Sequence, residues 1–480
     1  MKRKFLTNLA LIFILNLVIK TFWMFGIDRT VQNRVGAEEY GLYFSLLSLS
    51  ILLNIILDAG IINFNNRSVA RDFSNLSPNF SRILPLKFFL AVIYSLVVIL
   101  TGLIAGYSAR QFHLLWFLII NQFLLSFILY LRSNFSGLHL FTTDSFFSVL
   151  DRFFVILICG VLLWSDILKT EFRIEWFVYS QSLAYFLSAV IILFIVLTKT
   201  GKVRLRFPIQ YGLSILKESY PFAILILLMA FFNRFDAILL ERLLEDGKVQ
   251  AGIYAQSYRI LDAANMYAVL IAGMLLPIFS RMIKMNDSIG EMIRLSFSIV
   301  AIPAFTLASI SFFYNREIIG LLYNEHIEIS SGIYRILISG FIFISTSYIF
   351  GTLMTANGNL KQLNILAAVT VILNISLNLI LIPRYKATGA ATSALVSQGF
   401  YAVSQVISSI FLVKYKTDSS FVGRFLLYVV GIVLSSLVIH RFVETWFHGI
   451  LLIISVSLLL VWVLGILTPK SLYNMIKYDT

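Results

Sequence analysis

Residues 7–30 read TNLALIFILNLVIKTFWMFGIDRT, and the reading of this stretch decides the fold. It follows a basic start, Lys2, Arg3 and Lys4, so a cleaved signal peptide is the first possibility to weigh. The run is too long for an apolar signal core, carries Lys20 in its body and lacks a small-x-small cleavage site. It is therefore a retained helix, long enough to cross a hydrocarbon layer of about 30 Å. Comparable runs recur to the end of the chain. A window near twenty residues finds about fourteen, near 7–30, 42–66, 84–107, 112–136, 145–165, 175–198, 214–240, 251–279, 292–314, 332–356, 361–382, 388–413, 422–440 and 447–468. The runs from 42 and from 251 exceed what a bilayer requires, which implies tilt or extension beyond it.

Composition agrees. Of 480 residues 59% are apolar and 13% charged, and mean hydropathy is +0.88, whereas a soluble globule has about a quarter of its residues charged. The net charge of +14 would raise nucleic acid as a partner if it formed a water-exposed basic face. Here the cations sit in short segments between apolar runs, so membrane lipids are the partner and nucleic acid is excluded. The single cysteine, Cys159, permits neither an intramolecular disulfide nor a CxxC pair. His113, His139, His326, His440 and His448 form no HExxH pairing, and no GxxxxGK[ST] loop is present, so neither a metal site nor a cofactor is expected. Loops too short for a catalytic domain argue against an enzyme, including a membrane-embedded glycosyltransferase or polymerase.

Orientation follows from the cations, which favour the cytoplasmic side. With an inside N-terminus, about 22 Lys+Arg and 7 Asp+Glu lie inside, against about 11 and 13 outside. Both termini are thus expected in the cytoplasm. The clearest inside loop, Lys199, Lys202, Arg204, Arg206 and Lys217, separates spans six and seven and reads first as a topology and headgroup determinant. Short matches repeat across that divide. Arg34-Val-Gly-Ala-Glu-Glu-Tyr-Gly-Leu-Tyr43 opens span two and Asp246-Gly-Lys-Val-Gln-Ala-Gly-Ile-Tyr254 opens span eight, which aligns Gly41 with Gly252. Gly137 after span four aligns with Gly358 after span ten at a similar offset. The expected architecture is an all-α integral membrane protein with two parallel six-helix halves, 1–198 and 199–415, and two further helices with a tail in 416–480.

Several pieces then carry a family likeness: Glu39-Tyr-Gly-Leu-Tyr43 and Leu57-Asp-Ala-Gly-Ile61 in the first half, Tyr220-Pro-Phe222, Asn233-Arg-Phe-Asp236, Gly252-Ile-Tyr-Ala-Gln-Ser-Tyr-Arg259 and Ala356-Asn-Gly358 in the second. In order and spacing they extend from span one to about span twelve. The chain resembles the polysaccharide transporter family, the O-antigen and capsule flippases of a superfamily that also holds multidrug exporters and lipid II flippases. The resemblance implies a bacterial inner-membrane flippase that moves undecaprenyl-pyrophosphate-linked oligosaccharide from the cytoplasmic to the periplasmic leaflet. It also implies a polysaccharide polymerase and a chain-length regulator as partners.

Charges within spans are the sharpest residue-level signal, because burying an ion in hydrocarbon costs several kcal/mol unless it meets water or a partner. They are Lys20, Asp58, Asp151, Arg152, Arg234, Asp236, Arg259 and Asp262. Lys20 precedes Gly41 by 21 residues and Arg234 precedes Gly252 by 18, which gives equivalent helices one cation each at similar depth. Facing one cavity, Lys20 and Arg234, with Arg259 next, would hold the pyrophosphate. The competing readings are snorkelling for Lys20, a static bridge to Asp58 or Asp262 for Arg234, and a local i,i+3 ion pair for Arg259 and Asp262. Asp58, Asp236 and Asp262 are the carboxylates that could couple transport to H⁺ or Na⁺. Asn54, Asn63, Asn65 and Asn66 make span two a cavity-lining helix, while Asn374 and Asn378 suggest an interhelical hydrogen bond. A cation-coupled drug or metabolite exporter, or a lipid II flippase, is the alternative function; an exporter would favour acidic over basic residues in its cavity.

Overall fold

A computed structural model describes Asn16 and residues 18–165, 171–201, 203, 205, 209–415 and 418–467. The basic N-terminal start and Lys202, Arg204 and Arg206 lie outside the described residues. Among the described residues the chain is helical, with twelve helices long and apolar enough to cross a membrane. Two of them, Val18–Arg71 and Leu360–Val413, have 54 residues each. At 1.5 Å per residue that is roughly 80 Å, more than twice a hydrocarbon core. Both are hairpins. The first breaks at Gly36 (φ 78°, ψ 171°) and the second at Lys386 (φ 52°, ψ −134°). Across the first break the Tyr40 hydroxyl donates to Asp28 at 2.7 Å, and across the second the Ser393 hydroxyl donates to the Asn374 carbonyl at 3.1 Å. Dividing both at their breaks gives the fourteen crossings read from hydropathy.

The chain forms two compact units, Met1–Gly252 and Ile253–Thr480. The first holds a π-helical turn, Trp23–Asp28, then α1 (Arg29–Leu52), α2 (Ile55–Asp58), α3 (Ile61–Arg71), α4 (Leu76–Ile104), α5 (Ala109–Gly137), α6 (Phe141–Trp164), α7 (Ile174–Thr200), α8 (Ile209–Leu243) and the start of α9 (Gly247–Lys284). The second holds the rest of α9, α10 (Gly290–Phe313), α11 (Asn315–Leu322), α12 (Ile327–Ala356), α13 (Leu360–Val413), α14 (Ser419–Phe442) and α15 (Trp446–Val463).

Span two differs from its sequence reading. Its excess length is taken up by breaks, because Ala59 (φ 45°) and Gly60 (φ 87°) adopt left-handed backbone that a right-handed helix cannot propagate. Asn65 also departs from the expected cavity-lining role. It is buried, and its amide donates to Ser133 at 2.8 Å and Asn134 at 3.0 Å, which fastens α3 to α5. Asn374 and Asn378 behave as read: both are buried, Asn378 donates to Asn374 at 3.1 Å, and Asn374 bonds Ser393 across the hairpin.

In the first unit α1 meets the start of α9 backbone to backbone. A Cβ added to Gly41 would lie 1.8 Å from the Lys248 carbonyl oxygen, and one added to Gly252 would lie 1.9 Å from that of Ala37. These are the two glycines that the repeats align. Gln32 adds a hydrogen bond to the Gly252 carbonyl at 3.2 Å, and Gln111 on α5 donates to Glu241 on α8 at 2.9 Å. In the second unit the last two helices dock on α10 around a buried hydroxyl triad, Thr306, Tyr428 and Ser457, with separations of 2.7–3.0 Å. Phe425, Ile432 and Ile453 pack around it, and Arg294 pairs with Asp418 at 2.6 Å.

Either Gly41→Ala or Gly252→Ala must separate α1 from α9. In a Cys159→Ala background, thiol crosslinking of Gln111→Cys to Glu241→Cys is expected to proceed readily and to drop several-fold when either alanine is added. Unchanged crosslinking would show that the glycines are not required for this approach.

Candidate functional site

The first helix approaches α6 through two contacts. The Asn16 amide donates to Ser148 at 2.9 Å, and the Trp23 ring lies under the Arg152 guanidinium at 4.4 Å from its centroid. Ser148, Asp151 and Arg152 follow i, i+3, i+4 spacing, so one face of α6 carries all three. A single π turn, Trp23–Asp28, lies just beyond Lys20 on the opposing helix. Such turns rotate the following residues out of α-helical register and recur at functional positions.

Arg152 is held from two sides, since Tyr185 on α7 accepts a hydrogen bond from its Nη1 and also lies 5.5 Å from it by ring centroid. Asp151 lies 3.9 Å from its Nε. Arg132 near the end of α5 donates to Asp144 in the first turn of α6 at 2.7 Å. Lys20 is half-buried within Coulombic reach of Arg152, Asp151 and Arg132. Among the described residues its ammonium has no hydrogen-bonded or ion-paired partner. The cluster thus gathers three cations against two carboxylates, both engaged by the arginines, and leaves one cation unanswered. Such a set of donors is chemically suited to an anion: guanidiniums offer planar forks of N–H groups and an ammonium a point charge.

Depth can be read from the helices. Lys20 precedes the Gly36 turn by 16 residues, roughly 24 Å, and Arg152 follows the start of α6 by 11 residues, roughly 16 Å. Arg132 lies five residues before Gly137, at the helix ends opposite Gly36. The cations therefore descend from that end toward mid-membrane.

The other sequence-predicted residues fall elsewhere. Asp58 pairs with Lys87 at 3.4 Å. Arg234, on α8, is half-buried with its Nη1 shielded, and Asp236 is 1% exposed. Arg259 and Asp262 form the i,i+3 pair at 3.7 Å in the second unit. Lys87 and Arg132 were not singled out by the sequence reading because each lies within about five residues of an expected span end. Periodicity held a signal: Lys87 and Tyr94 are seven apart on one face of an apolar helix.

The Gly36 end has a different character. Arg110 makes a two-pronged pair with Glu39, at 2.7 and 2.5 Å, and a second with Glu175 at 2.9 Å. A cavity of about 620 Å³ there is lined by Arg34, Glu39, Arg110, Glu171, Arg173 and Glu175, so its signs balance. Nearby Arg242 stacks on Tyr107 at 4.1 Å, and burial together with the Glu241 charge pushes the Tyr107 phenol up to about 12.

A family model described as polysaccharide biosynthesis protein matches residues 6–283, more than half of the chain and all of the cation cluster. The chain belongs to that family. No curated protein sequence matches it. Among solved structures, this polysaccharide biosynthesis protein is similar to the lipid II flippase MurJ in an inward closed conformation, with TM-score 0.70, 16% identity, and 94% of this chain and 98% of that one covered. An inward-facing multidrug resistance MATE family transporter of the MOP superfamily gives TM-score 0.62 at 15% identity, covering 84% and 99%. A MOP superfamily transporter from Pyrococcus furiosus, titled for the reverse polarity of its binding pocket, gives 0.56 at 13%, covering 86% and 96%. At these identities the likeness establishes the fold, an all-helical bundle whose twelve long apolar helices suit a multi-pass membrane protein.

Inorganic pyrophosphate is expected to bind detergent-purified protein and to change Trp23 fluorescence, with Trp23→Phe as the control. Lys20→Ala should weaken binding about tenfold, the loss of one charge-assisted contact. Asp151→Asn should strengthen it, because a competing anion is removed.

Proposed function

We propose that this protein is a flippase for polyprenyl-pyrophosphate-linked oligosaccharide, an O-antigen or capsular repeat unit, in the bacterial inner membrane with both termini in the cytoplasm. The observation that carries the reading is the half-buried Lys20 ammonium, without a bonded partner among the described residues, beside Arg132 and Arg152. The pyrophosphate enters from the end marked by Arg132 and meets Lys20. Its glycan occupies the polar route while the lipid tail stays in the bilayer, and the head group is released on the far side. Arg234 and Arg259 supply further phosphate contacts as the head group moves. Asp236 and Asp262 are the carboxylates that would exchange H⁺ or Na⁺. The protein performs no chemistry on its substrate, and a polymerase and a chain-length regulator receive the product.

An exporter of organic cations is disfavoured by one feature. In the first unit Asp28, Asp58, Asp144 and Asp151 each already have a hydroxyl or cationic partner, so these four are not free to bind a cationic drug. A lipid II flippase shares the pyrophosphate chemistry and differs only in the glycan.

Flipping of a defined lipid-linked oligosaccharide in proteoliposomes is expected to slow tenfold or more in Lys20→Ala and Arg234→Ala, and further in the double variant. Near-normal flipping by a correctly inserted double variant would overturn the reading, and faster transport of lipid II than of a repeat unit would redirect it.

A further inference from the structure

In the first unit the helix breaks between Leu57 and Ile61, inside the expected second span. A continuous helix would satisfy the Leu57 carbonyl with the amide of residue 61; the left-handed turn at Ala59 and Gly60 leaves it without that donor. Lys87 reaches it from α4. Its ammonium is 2.8 Å from the Leu57 carbonyl, 3.1 Å from the Ser126 hydroxyl on α5 and 3.4 Å from Asp58 Oδ1, and the side chain is 1% exposed. The Tyr130 ring lies 5.9 Å away. All three ammonium protons thus meet oxygen. Asp58 is positioned independently, because its Oδ1 also accepts from the Ile62 amide at 3.1 Å at the start of α3.

Without the lysine, these atoms describe something familiar in chemical terms: a carbonyl at the end of a half-helix, a carboxylate and a hydroxyl, all hard oxygen donors with one net negative charge. That donor set binds a small alkali cation at broken membrane helices. We propose that the break between Leu57 and Ile61 is a sodium-type cation site whose occupant is supplied by the chain, with the Lys87 ammonium standing where Na⁺ would bind. Asp58 is then a fixed counter-charge, and no free ion enters or leaves at this point. The consequence for energy coupling rests on the flippase reading, since any coupling ion must act elsewhere. The site itself does not rest on that reading, and its test reads ion binding rather than transport.

The test uses full-length protein in detergent, with thermal unfolding followed in sodium, potassium and choline chloride at equal ionic strength. Lys87→Ala is expected to unfold several degrees higher in sodium than in choline, as a ligand that binds only the folded state requires. Wild type should not distinguish the two salts, and Lys87→Ala with Asp58→Asn should lose the response. If Lys87→Ala is recovered only when purified in sodium or potassium, the same conclusion follows. Failure to recover it in any of the salts, a melting temperature indifferent to the cation, or a wild-type sodium response abolished by Asp58→Asn would each overturn the proposal. Flipping can fail or succeed without affecting any of these outcomes.

Discussion

Hydrocarbon offers no hydrogen bonds, so every departure from regular helix within a membrane must find its partners inside the protein. The first unit is organised around that constraint. Where the chain breaks after α2, α4 supplies Lys87 to the Leu57 carbonyl, and two helical turns further along the same face it supplies Tyr94 to the Ser50 carbonyl at 2.7 Å. At the π turn the Thr30 hydroxyl donates to the Gly26 carbonyl at 2.5 Å. The hairpin at Gly36 is closed by Tyr40 and Asp28, and in the second unit the hairpin at Lys386 is closed by Ser393 and Asn374. Irregular backbone and polar side chains therefore occur together, and α4, which carries two of the answering groups, is otherwise strongly apolar.

The same constraint orders the charges. A buried pair is costly to assemble but more costly to leave half-made, and four carboxylates of the first unit are accordingly engaged: Asp58 by Lys87, Asp144 by Arg132, Asp151 near Arg152 and Asp28 by Tyr40. Against that background Lys20 stands out. It lies among cations, with Arg152 fixed by Trp23 and Tyr185 so that the guanidinium cannot swing away. A guanidinium held in this way is already oriented, so any ligand that met it would lose little affinity to side-chain ordering.

Much of this was legible beforehand. The fourteen crossings follow from apolar run length, and Lys20, Arg152 and Asp151 announce themselves as charges deep within runs. Lys87 and Arg132 did not, because hydropathy places them a turn or so from a span end, where a cation ordinarily snorkels to water. Lys87 does the opposite, and only the break in the facing helix explains it. That break was hidden too. Leu57-Asp-Ala-Gly60 reads as a place for close helix approach, whereas the backbone uses Ala59 and Gly60 to turn left-handed. Aligned glycines likewise proved unlike in use. Gly137 lets Val69 of α3 come within 2.8 Å of an added Cβ, while its counterpart Gly358 serves a turn at φ 81° with open space beside it.

Gly41 and Gly252 differ from both, because each lets backbone meet backbone within the first unit. The bonds that accompany them are mild. Gln32 gives one neutral hydrogen bond at 3.2 Å, and the Arg110, Glu39 and Glu175 cluster is partly open to water, with Arg110 49% exposed, where ion pairs typically contribute about 0–1 kcal/mol. The approach of α1 to the start of α9 is therefore set by steric fit more than by polar bonds, and any side chain at 41 or 252 would have to displace a carbonyl of the facing helix.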